Sequence, residues 1–185
     1  PYGTDIIEAD MISAESARLA WQKGTRVIVL PTIPYGVNTG QSDIRLDMNI
    51  NPSTQAAILH DIIVVLERHN IRKLLILNSH GGNDFKPILR ELGYTHPNML
   101  LSTCNWFQAV NKGDYFEKGG DHADEMETSL MLYFAPQLVF LHQAGDGTEK
   151  KSSIAEFTEG WAWMERRWSQ ISQDTGTGNP KKATV

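Results

Sequence analysis

Lys73-Leu-Leu-Ile-Leu-Asn-Ser-His-Gly-Gly-Asn83 is the stretch that decides the fold of this chain, because an apolar run stops abruptly there at a polar, glycine-containing turn. Such runs are typical of buried parallel strands, and ligands in open α/β sheets bind beyond the carboxyl ends of these strands. The pattern therefore predicts a functional position for His80. Gly81 and Gly82 permit a sharp turn that brings backbone amides close to a ligand. A structural alternative is a histidine that is satisfied by backbone hydrogen bonds in a turn leading into a helix.

Length and composition predict an ordinary globular protein. The chain has 185 residues, of which 41% are hydrophobic and 21% are charged, and we expect a single domain over residues 1–185. A membrane helix needs an apolar run of roughly 20 residues, and none is present. The net charge of −5 and the pI of about 5.7 argue against a nucleic-acid partner, because nucleic-acid binders present clustered Lys and Arg.

The single cysteine, Cys104, has no partner for an intramolecular disulfide, and no signal peptide is visible. Both observations lead us to expect a cytoplasmic location. Because the chain starts at Pro1 rather than at Met, we also expect that its natural start has been lost.

Strand and helix patterns alternate along the chain. We expect strands at Arg26–Pro31, Lys73–Asn78, Met99–Cys104 and Leu138–Leu141. We expect helices at Ile6–Gln22, from Asn51 to about Asn70, at Asp84–Leu92 and at Met126–Phe134. This order predicts the α/β class, as a three-layer α/β/α sandwich with a mainly parallel sheet. The polar segments Val37–Asn49 and Gly145–Ser153 are predicted to be long loops.

A second chemical cluster is Asp121-His-Ala-Asp-Glu-Met-Glu-Thr-Ser129, which holds one imidazole and four carboxylates between Asp121 and Glu127. On a fully helical path, His122 and Glu125 share a face while Glu127 points elsewhere. If the helix instead begins near Asp124, His122 lies in the entering loop and Glu127 in the first turn, and both can reach one site. A structural alternative is that these acidic residues stabilise the positive end of a helix dipole.

Asp5, in the segment Pro1-Tyr-Gly-Thr-Asp5, comes at the start of the first predicted helix. Taken alone, Asp5 is explained by an N-cap role. Together with His80 and either Glu127 or Glu125, it would supply the oxygen and nitrogen ligands that hold Zn²⁺ or Mn²⁺. The sequence therefore predicts a metal site, with the choice between the two glutamates open.

Five segments resemble the creatininase (creatinine amidohydrolase) family and occur in the family's order. The family patterns are E-x-H-G-x-H-L-P-x-G-T-D, L-P-x-x-P-Y-G, N-G-H-G-G-N, H-A-G-E-x-E-T-S and a late glycine loop. The matching segments here are Pro1-Tyr-Gly-Thr-Asp5, Leu30-Pro-Thr-Ile-Pro-Tyr-Gly-Val37, Asn78-Ser-His-Gly-Gly-Asn83, His122-Ala-Asp-Glu-Met-Glu-Thr-Ser129, and Gly176-Thr-Gly-Asn-Pro180 followed by Ala183-Thr184.

This resemblance implies an α/β/α metallohydrolase with two divalent metal ions, Zn²⁺, Mn²⁺ or, as a third option, Fe²⁺. Such proteins usually assemble as homohexamers, so we expect a homo-oligomer. Asp5 matches the carboxylate that bridges the two metals, and His80 matches a terminal ligand of one of them. Glu127 matches a glutamate close to the other metal, and His122 matches the histidine that handles protons near the substrate.

The chain departs from the family pattern at three places. Creatininase itself has a glutamate ligand where this chain has Gly82, which weakens the case for creatinine as the substrate and implies that Glu127 takes over the ligand role. Asp124 replaces the family's usual glycine. The E-x-H-G ligands would precede Pro1, and the family continues beyond Val185 into a last helix, so we expect both ends to be truncated.

We therefore expect hydrolysis of a C–N bond in a small amide, either a cyclic amide or a formamide-type substrate. Two metal ions would make hydroxide available and polarise the carbonyl group, and His122 would deliver a proton to the departing nitrogen. The expected substrate-binding residues are Tyr35, Gly81, Gly82 and Glu125. Asn83 is expected to cap the next helix rather than to touch the substrate.

The expected partner is a small-molecule substrate, with no nucleic acid and no membrane. Two rival readings remain. One is a phosphate or nucleotide binder that uses the turn Ser79–Asn83, and the absence of a P-loop lysine counts against it. The other is a catalytically silent family member with a degenerate metal site.

Overall fold

The computed structural model describes residues 3–117 and 119–185, so Pro1 and Tyr2 of the first family-like segment lie outside the described residues. The chain divides into two compact units. The first unit comprises Pro1–Glu8, Asn38–Asp47 and Asn111–Val185, and the second comprises Ala9–Val37 and Met48–Val110. The single domain expected from the sequence stays a prediction.

Helices and two parallel strands make up the regular structure of the described residues. The helices are α1 (Thr4–Gln22), α2 (Pro52–Arg68), α3 (Phe85–Thr95), α4 (Glu125–Phe134), α5 (Ala155–Glu159) and α6 (Trp168–Ile171). The strands are β1 (Lys73–Asn78) and β2 (Leu100–Asn105), which pair in parallel with Leu74 opposite Leu101. Short 3₁₀ turns occur at Thr39–Gln41, Trp106–Gln108, Lys112–Asp114, Pro136–Leu138, Leu141–Gln143 and Pro180–Lys182. The predicted strands at Lys73–Asn78 and Met99–Cys104 are thus confirmed within one residue.

The second unit has a core made by one face of its sheet and two helices. Leu59, Ile63 and Leu66 are spaced four and three residues apart on α2, which brings them to one side of the helix. Ile63 is completely buried, and burial of such a side chain contributes roughly 1.5 to 3 kcal/mol. The residues that complete this core are Ile88, Leu92 and Met99, with Leu74, Ile76 and Leu101 packed against them.

Two predicted strands are wrong. Residues 26–31 have no regular structure, and Ile28 is 76% exposed. Leu138 ends one 3₁₀ turn and Leu141 begins the next, and Phe140 between them is 56% exposed. Both segments carry apolar residues that favour strands, but a strand also needs a neighbour whose backbone groups are available for pairing. Neither segment forms a ladder with another among the described residues.

The four predicted helices are present. For α4 the sequence left two possible starting points open, and the structure has the later one. Asp124 is the N-cap, and α4 starts at Glu125, so His122 lies in the entering loop and Glu127 lies in the first turn. Among the described residues, no helix combines the length and the apolar character that crossing a bilayer requires.

Candidate functional site

Asp5 lies inside the first turn of α1 rather than at its cap. Gly3 adopts a φ of +86°, and its carbonyl accepts a hydrogen bond from the Ile7 N–H at 3.1 Å. The helix starts at the next residue, which places Asp5 in its first turn. The N-cap interpretation of Asp5 therefore does not hold. Its carboxylate lies close enough to Glu8 and Glu127 to raise the pKa of both.

Glu8, which was not singled out from the sequence, is the most unusual side chain of the first unit. It is completely buried, and among the described residues neither carboxylate oxygen has a hydrogen-bond partner. Loss of hydration raises the pKa of Glu8 from 4.5 to about 9, with further increases from Glu127, Asp5 and Asp124 and an opposing effect of Lys112. The one available sequence signal was its position three residues after Asp5, which brings both carboxylates to the same side of α1.

Reciprocal hydrogen bonds fix the N-terminus of α4. The Glu127 N–H donates to Asp124 Oδ1 at 3.0 Å, and Glu127 Oε2 accepts from the Ala123 N–H at 2.6 Å. Asp124 is almost completely buried and is paired with Lys112 Nζ at 3.1 Å. This arrangement resembles a capping box, so the structural reading of the acidic cluster holds for Asp124. The pKa of the partly buried Glu127 is raised to about 7, mainly by loss of hydration and to a smaller extent by the charges of Asp5 and Asp124. The hydrogen bond from Ala123 and the charge of Lys112 oppose this increase.

Glu8 and Glu127 thus interact with each other, with the carboxylates of Asp5 and Asp124 and with the ammonium group of Lys112. Buried charges are normally paired or bound to a metal ion, and carboxylate oxygens are ligands for Mn²⁺ and Zn²⁺. The donor chemistry therefore fits a divalent cation. Within residues 3–117 and 119–185, however, no three His, Cys, Asp or Glu side chains are already arranged to hold a metal ion.

His122 is held by its backbone and by an aromatic neighbour. Its carbonyl accepts a hydrogen bond from the Thr177 N–H at 2.8 Å, which ties the entering loop of α4 to the late glycine loop. The imidazole lies 4.5 Å from the Trp168 ring, measured between centroids. The Arg166 guanidinium covers the same indole at 4.3 Å and pairs with Asp121 at 2.7 Å. Sequence reasoning missed Trp168, because an isolated aromatic residue carries no signal of its neighbours.

Glu125 and Glu127 have different surroundings. Glu125 is buried, and its Oε2 accepts a hydrogen bond from the Glu117 N–H at 3.1 Å. Glu127 interacts with Asp5, the residue predicted to bridge two metals. The choice between Glu125 and Glu127 as a metal ligand stays a prediction. The substrate-binding role of Glu125 stays a prediction.

In the second unit, His80 follows the end of β1, as the sequence predicted. Its Nε2 lies 3.0 Å from the Val37 carbonyl oxygen. A carbonyl oxygen only accepts, so Nε2 is the donor, and in the neutral form of the ring the lone pair is then on Nδ1. Ligand histidines commonly donate their second N–H to a backbone carbonyl, which agrees with a ligand role for His80.

The other residues predicted around this turn have different environments. Gly82 is needed sterically, because a Cβ there would overlap the Val37 carbonyl oxygen, whereas a Cβ at Gly81 would meet nothing within 4 Å. Tyr35 is 48% exposed. The prediction that Asn83 caps α3 is wrong, since Asp84 is the N-cap and accepts from the Lys86 N–H at 3.2 Å. The Asn83 side chain instead forms hydrogen bonds with Val37, Gln55 and Asn78 in this unit.

The comparisons with known proteins agree with these observations. The family model described as Creatinine amidohydrolase matches residues 1–185. A protein of known structure from Bacteroides fragilis NCTC 9343, whose description assigns it provisionally to the creatinine amidohydrolases, is 44% identical with a TM-score of 0.90. That alignment covers 97% of this chain and 72% of the other protein. The likeness confirms the predicted α/β fold class.

Two more distant solved structures show the same fold. A creatininase described as a manganese form is 22% identical with a TM-score of 0.68, and a mutant creatininase of the Zn–Zn type is 20% identical with a TM-score of 0.67. Each alignment covers 93% of this chain and 72% of the other protein. Among curated proteins, none matches this chain significantly.

Proposed function

The chain belongs to the creatinine amidohydrolase family, and we propose that it is a metal-dependent amidohydrolase that cleaves a C–N bond of a small cyclic amide or formamide-type substrate. Glu8 is the observation that carries the metal dependence. Both of its oxygens are buried beside the carboxylates of Asp5 and Glu127, and no residue within 3–117 and 119–185 forms a hydrogen bond with them. Buried carboxyl groups without polar partners, which lose their protons when a cation binds, are suited to a metal site.

The proposed ligands are Asp5, His80 and Glu127. Asp5 and Glu127 offer carboxylate oxygens that already influence each other, and His80 offers Nδ1 because its Nε2 faces the Val37 carbonyl. Mixed oxygen and imidazole ligands suit Zn²⁺ and Mn²⁺, and two such ions are proposed because the family resemblance implies two.

Divalent ions held by these residues would lower the pKa of a bound water, which would add to the substrate carbonyl, and would polarise that carbonyl group. His122 then protonates the departing nitrogen. Its role is supported by its position, since Thr177 holds its backbone and Trp168 contacts its ring, which limits the directions that the imidazole can take. Tyr35, Gly81, Gly82 and Glu125 are proposed to contact the substrate.

We propose a homo-oligomer, with the hexamer as the first candidate, in the cytoplasm. Its partner is a small molecule rather than a nucleic acid or a membrane, in keeping with the net charge of −5.

The hydrogen bonds of the turn after β1 argue against a phosphate binder. The His80 N–H donates to Asn78 Oδ1 at 3.2 Å, and the Asn83 N–H donates to the His80 carbonyl at 3.2 Å. Amides used within the turn do not point to an anion, in contrast to the free amides of phosphate-binding loops. A catalytically silent family member remains the alternative that the experiment below must exclude.

The test is an activity screen with the protein loaded with Mn²⁺ or Zn²⁺, against cyclic amides and formamides. His80→Ala is expected to abolish turnover and to lower the bound metal content. His142→Ala, at an exposed position in a 3₁₀ turn, is the matched control and is expected to retain both. Metal binding without turnover on any substrate would favour the silent alternative, and equal metal content in wild type and His80→Ala would refute the ligand assignment.

A further inference from the structure

Asn83 links the turn after β1 to two other segments of the second unit. Its Oδ1 accepts hydrogen bonds from the Val37 N–H at 3.0 Å and from Gln55 Nε2 at 2.7 Å. Its Nδ2 donates to Asn78 Oδ1 at 3.1 Å. A backbone N–H only donates, so the contact with Val37 fixes which side-chain atom is the oxygen. Gln55 and Asn78 are themselves 5% and 3% exposed, so water competes little for these bonds.

The same Val37 residue also contacts the imidazole of His80. Its N–H is bound by Asn83, and its carbonyl oxygen accepts from His80 Nε2 at 3.0 Å. One peptide segment therefore lies between the Asn83 side chain and the His80 ring. If Asn83 releases the Val37 N–H, the carbonyl that orients the ring is no longer held in place.

Gly36 and Gly82 allow the segment that contains Val37 to lie close to the His80 ring, because they have no side chain. A Cβ at Gly36 would lie 2.9 Å from both Asn83 Oδ1 and His80 Cδ2. A Cβ at Gly82 would lie 2.5 Å from His80 Nε2 and would overlap the Val37 carbonyl oxygen. Side chains at either position would separate the ring from the segment that contacts it.

We propose that Asn83 is a positioning residue, which acts through the Val37 peptide to keep the proton of His80 on Nε2 and to present Nδ1 as the ligand atom. The part concerning metal rests on the proposed function, in which His80 binds a divalent ion. The part concerning the ring rests on the hydrogen bonds alone. A partner that orients a ligand histidine typically changes metal affinity by about 10- to 100-fold when it is removed.

The experiment compares three variants of the protein. Asn83→Ala removes every side-chain bond of the linking residue. Asn83→Asp keeps an oxygen that accepts from the Val37 N–H but loses the donor to Asn78, so it is expected to lower stability while it still holds the Val37 peptide. Asp84→Ala removes the neighbouring cap of α3 and is the control for a general loss of stability in this turn.

The first readout is the His80 Nε2–H signal in the NMR spectrum of ¹⁵N-labelled protein, assigned by its loss in His80→Ala. We expect a slowly exchanging signal in the wild type, in Asn83→Asp and in Asp84→Ala, and its loss in Asn83→Ala. A signal that persists in Asn83→Ala, or that is absent from the wild type, overturns the proposal. Equal loss in Asp84→Ala also overturns it, because the effect would then be general destabilisation.

The second readout is the Mn²⁺ dissociation constant measured by titration calorimetry. Asn83→Ala is expected to weaken binding by about 10- to 100-fold in the wild-type background and to have no further effect in the His80→Ala background. Additive effects would overturn the proposal, because Asn83 would then act independently of His80. If His80→Ala leaves Mn²⁺ affinity unchanged while the NMR result is as expected, positioning of the ring is supported and the ligand assignment in the proposed function fails.

Discussion

Replacing Glu8 by glutamine is expected to stabilise the metal-free protein, and to do so more strongly as the pH rises. Glu8 is completely buried and has no hydrogen-bond partner in the part of the chain that the structure describes, and loss of hydration together with neighbouring carboxylates raises its pKa from 4.5 to about 9. A carboxyl group with a raised folded-state pKa contributes its stability below the unfolded-state pKa, and this contribution is lost as the pH rises towards the folded-state value. Glutamine has nearly the same shape and stays neutral throughout.

The magnitude follows from the proton that folded Glu8 must take up. Each pH unit above the ordinary pKa of 4.5 makes this uptake cost about 1.4 kcal/mol. The cost is therefore about 3 kcal/mol at pH 7 and below about 1 kcal/mol at pH 5. Because both the protonated carboxyl group and the amide are neutral and buried, the glutamine variant should recover most of this difference.

Urea denaturation of EDTA-treated protein between pH 5 and pH 8 measures this effect, since EDTA removes cations that would compensate the carboxylates. The difference in free energy of unfolding between Glu8→Gln and wild type should grow steadily with pH. Glu149→Gln changes an exposed glutamate and should give a small difference that does not depend on pH. A constant difference for Glu8→Gln, or destabilisation at pH 7, would refute the reasoning about the buried carboxyl group.

Three further predictions concern the candidate site. Glu127→Gln should weaken Mn²⁺ binding, and wild-type affinity should rise between pH 6 and pH 8, because the raised pKa of about 7 lets a proton compete with the ion; calorimetry that shows no pH dependence would contradict this. His122→Gln should retain bound metal while turnover falls by about 10²- to 10⁴-fold, whereas metal loss would identify His122 as a ligand. Gly82→Ala should lower the free energy of unfolding by about 1 to 3 kcal/mol, because its Cβ would overlap the Val37 carbonyl, and Gly81→Ala should not.

Local sequence patterns predicted the elements whose signals lie within one segment. The apolar run before His80 predicted β1, the helical pattern from Asn51 to about Asn70 predicted α2, and Asp124 marked one of two alternative starts of α4. Such signals are reliable because side-chain periodicity and capping depend on residues only a few positions apart. The strand predicted at residues 26–31 was wrong because pairing depends on a distant segment. An apolar run shows a preference for strands but does not supply a partner strand.

The sequence by itself determined the family, the parallel pair of strands and the identity of the candidate ligands, since short motifs in a fixed order carry that information. Only the tertiary structure decided that Glu8 is buried beside Asp5 and Glu127, and that Asn83 binds the Val37 peptide instead of capping a helix. Burial and hydrogen-bond partners depend on segments that are distant along the chain. From the sequence, a glutamate near the start of a helix is expected to be exposed to solvent, and only the packing of distant segments shows that Glu8 is buried.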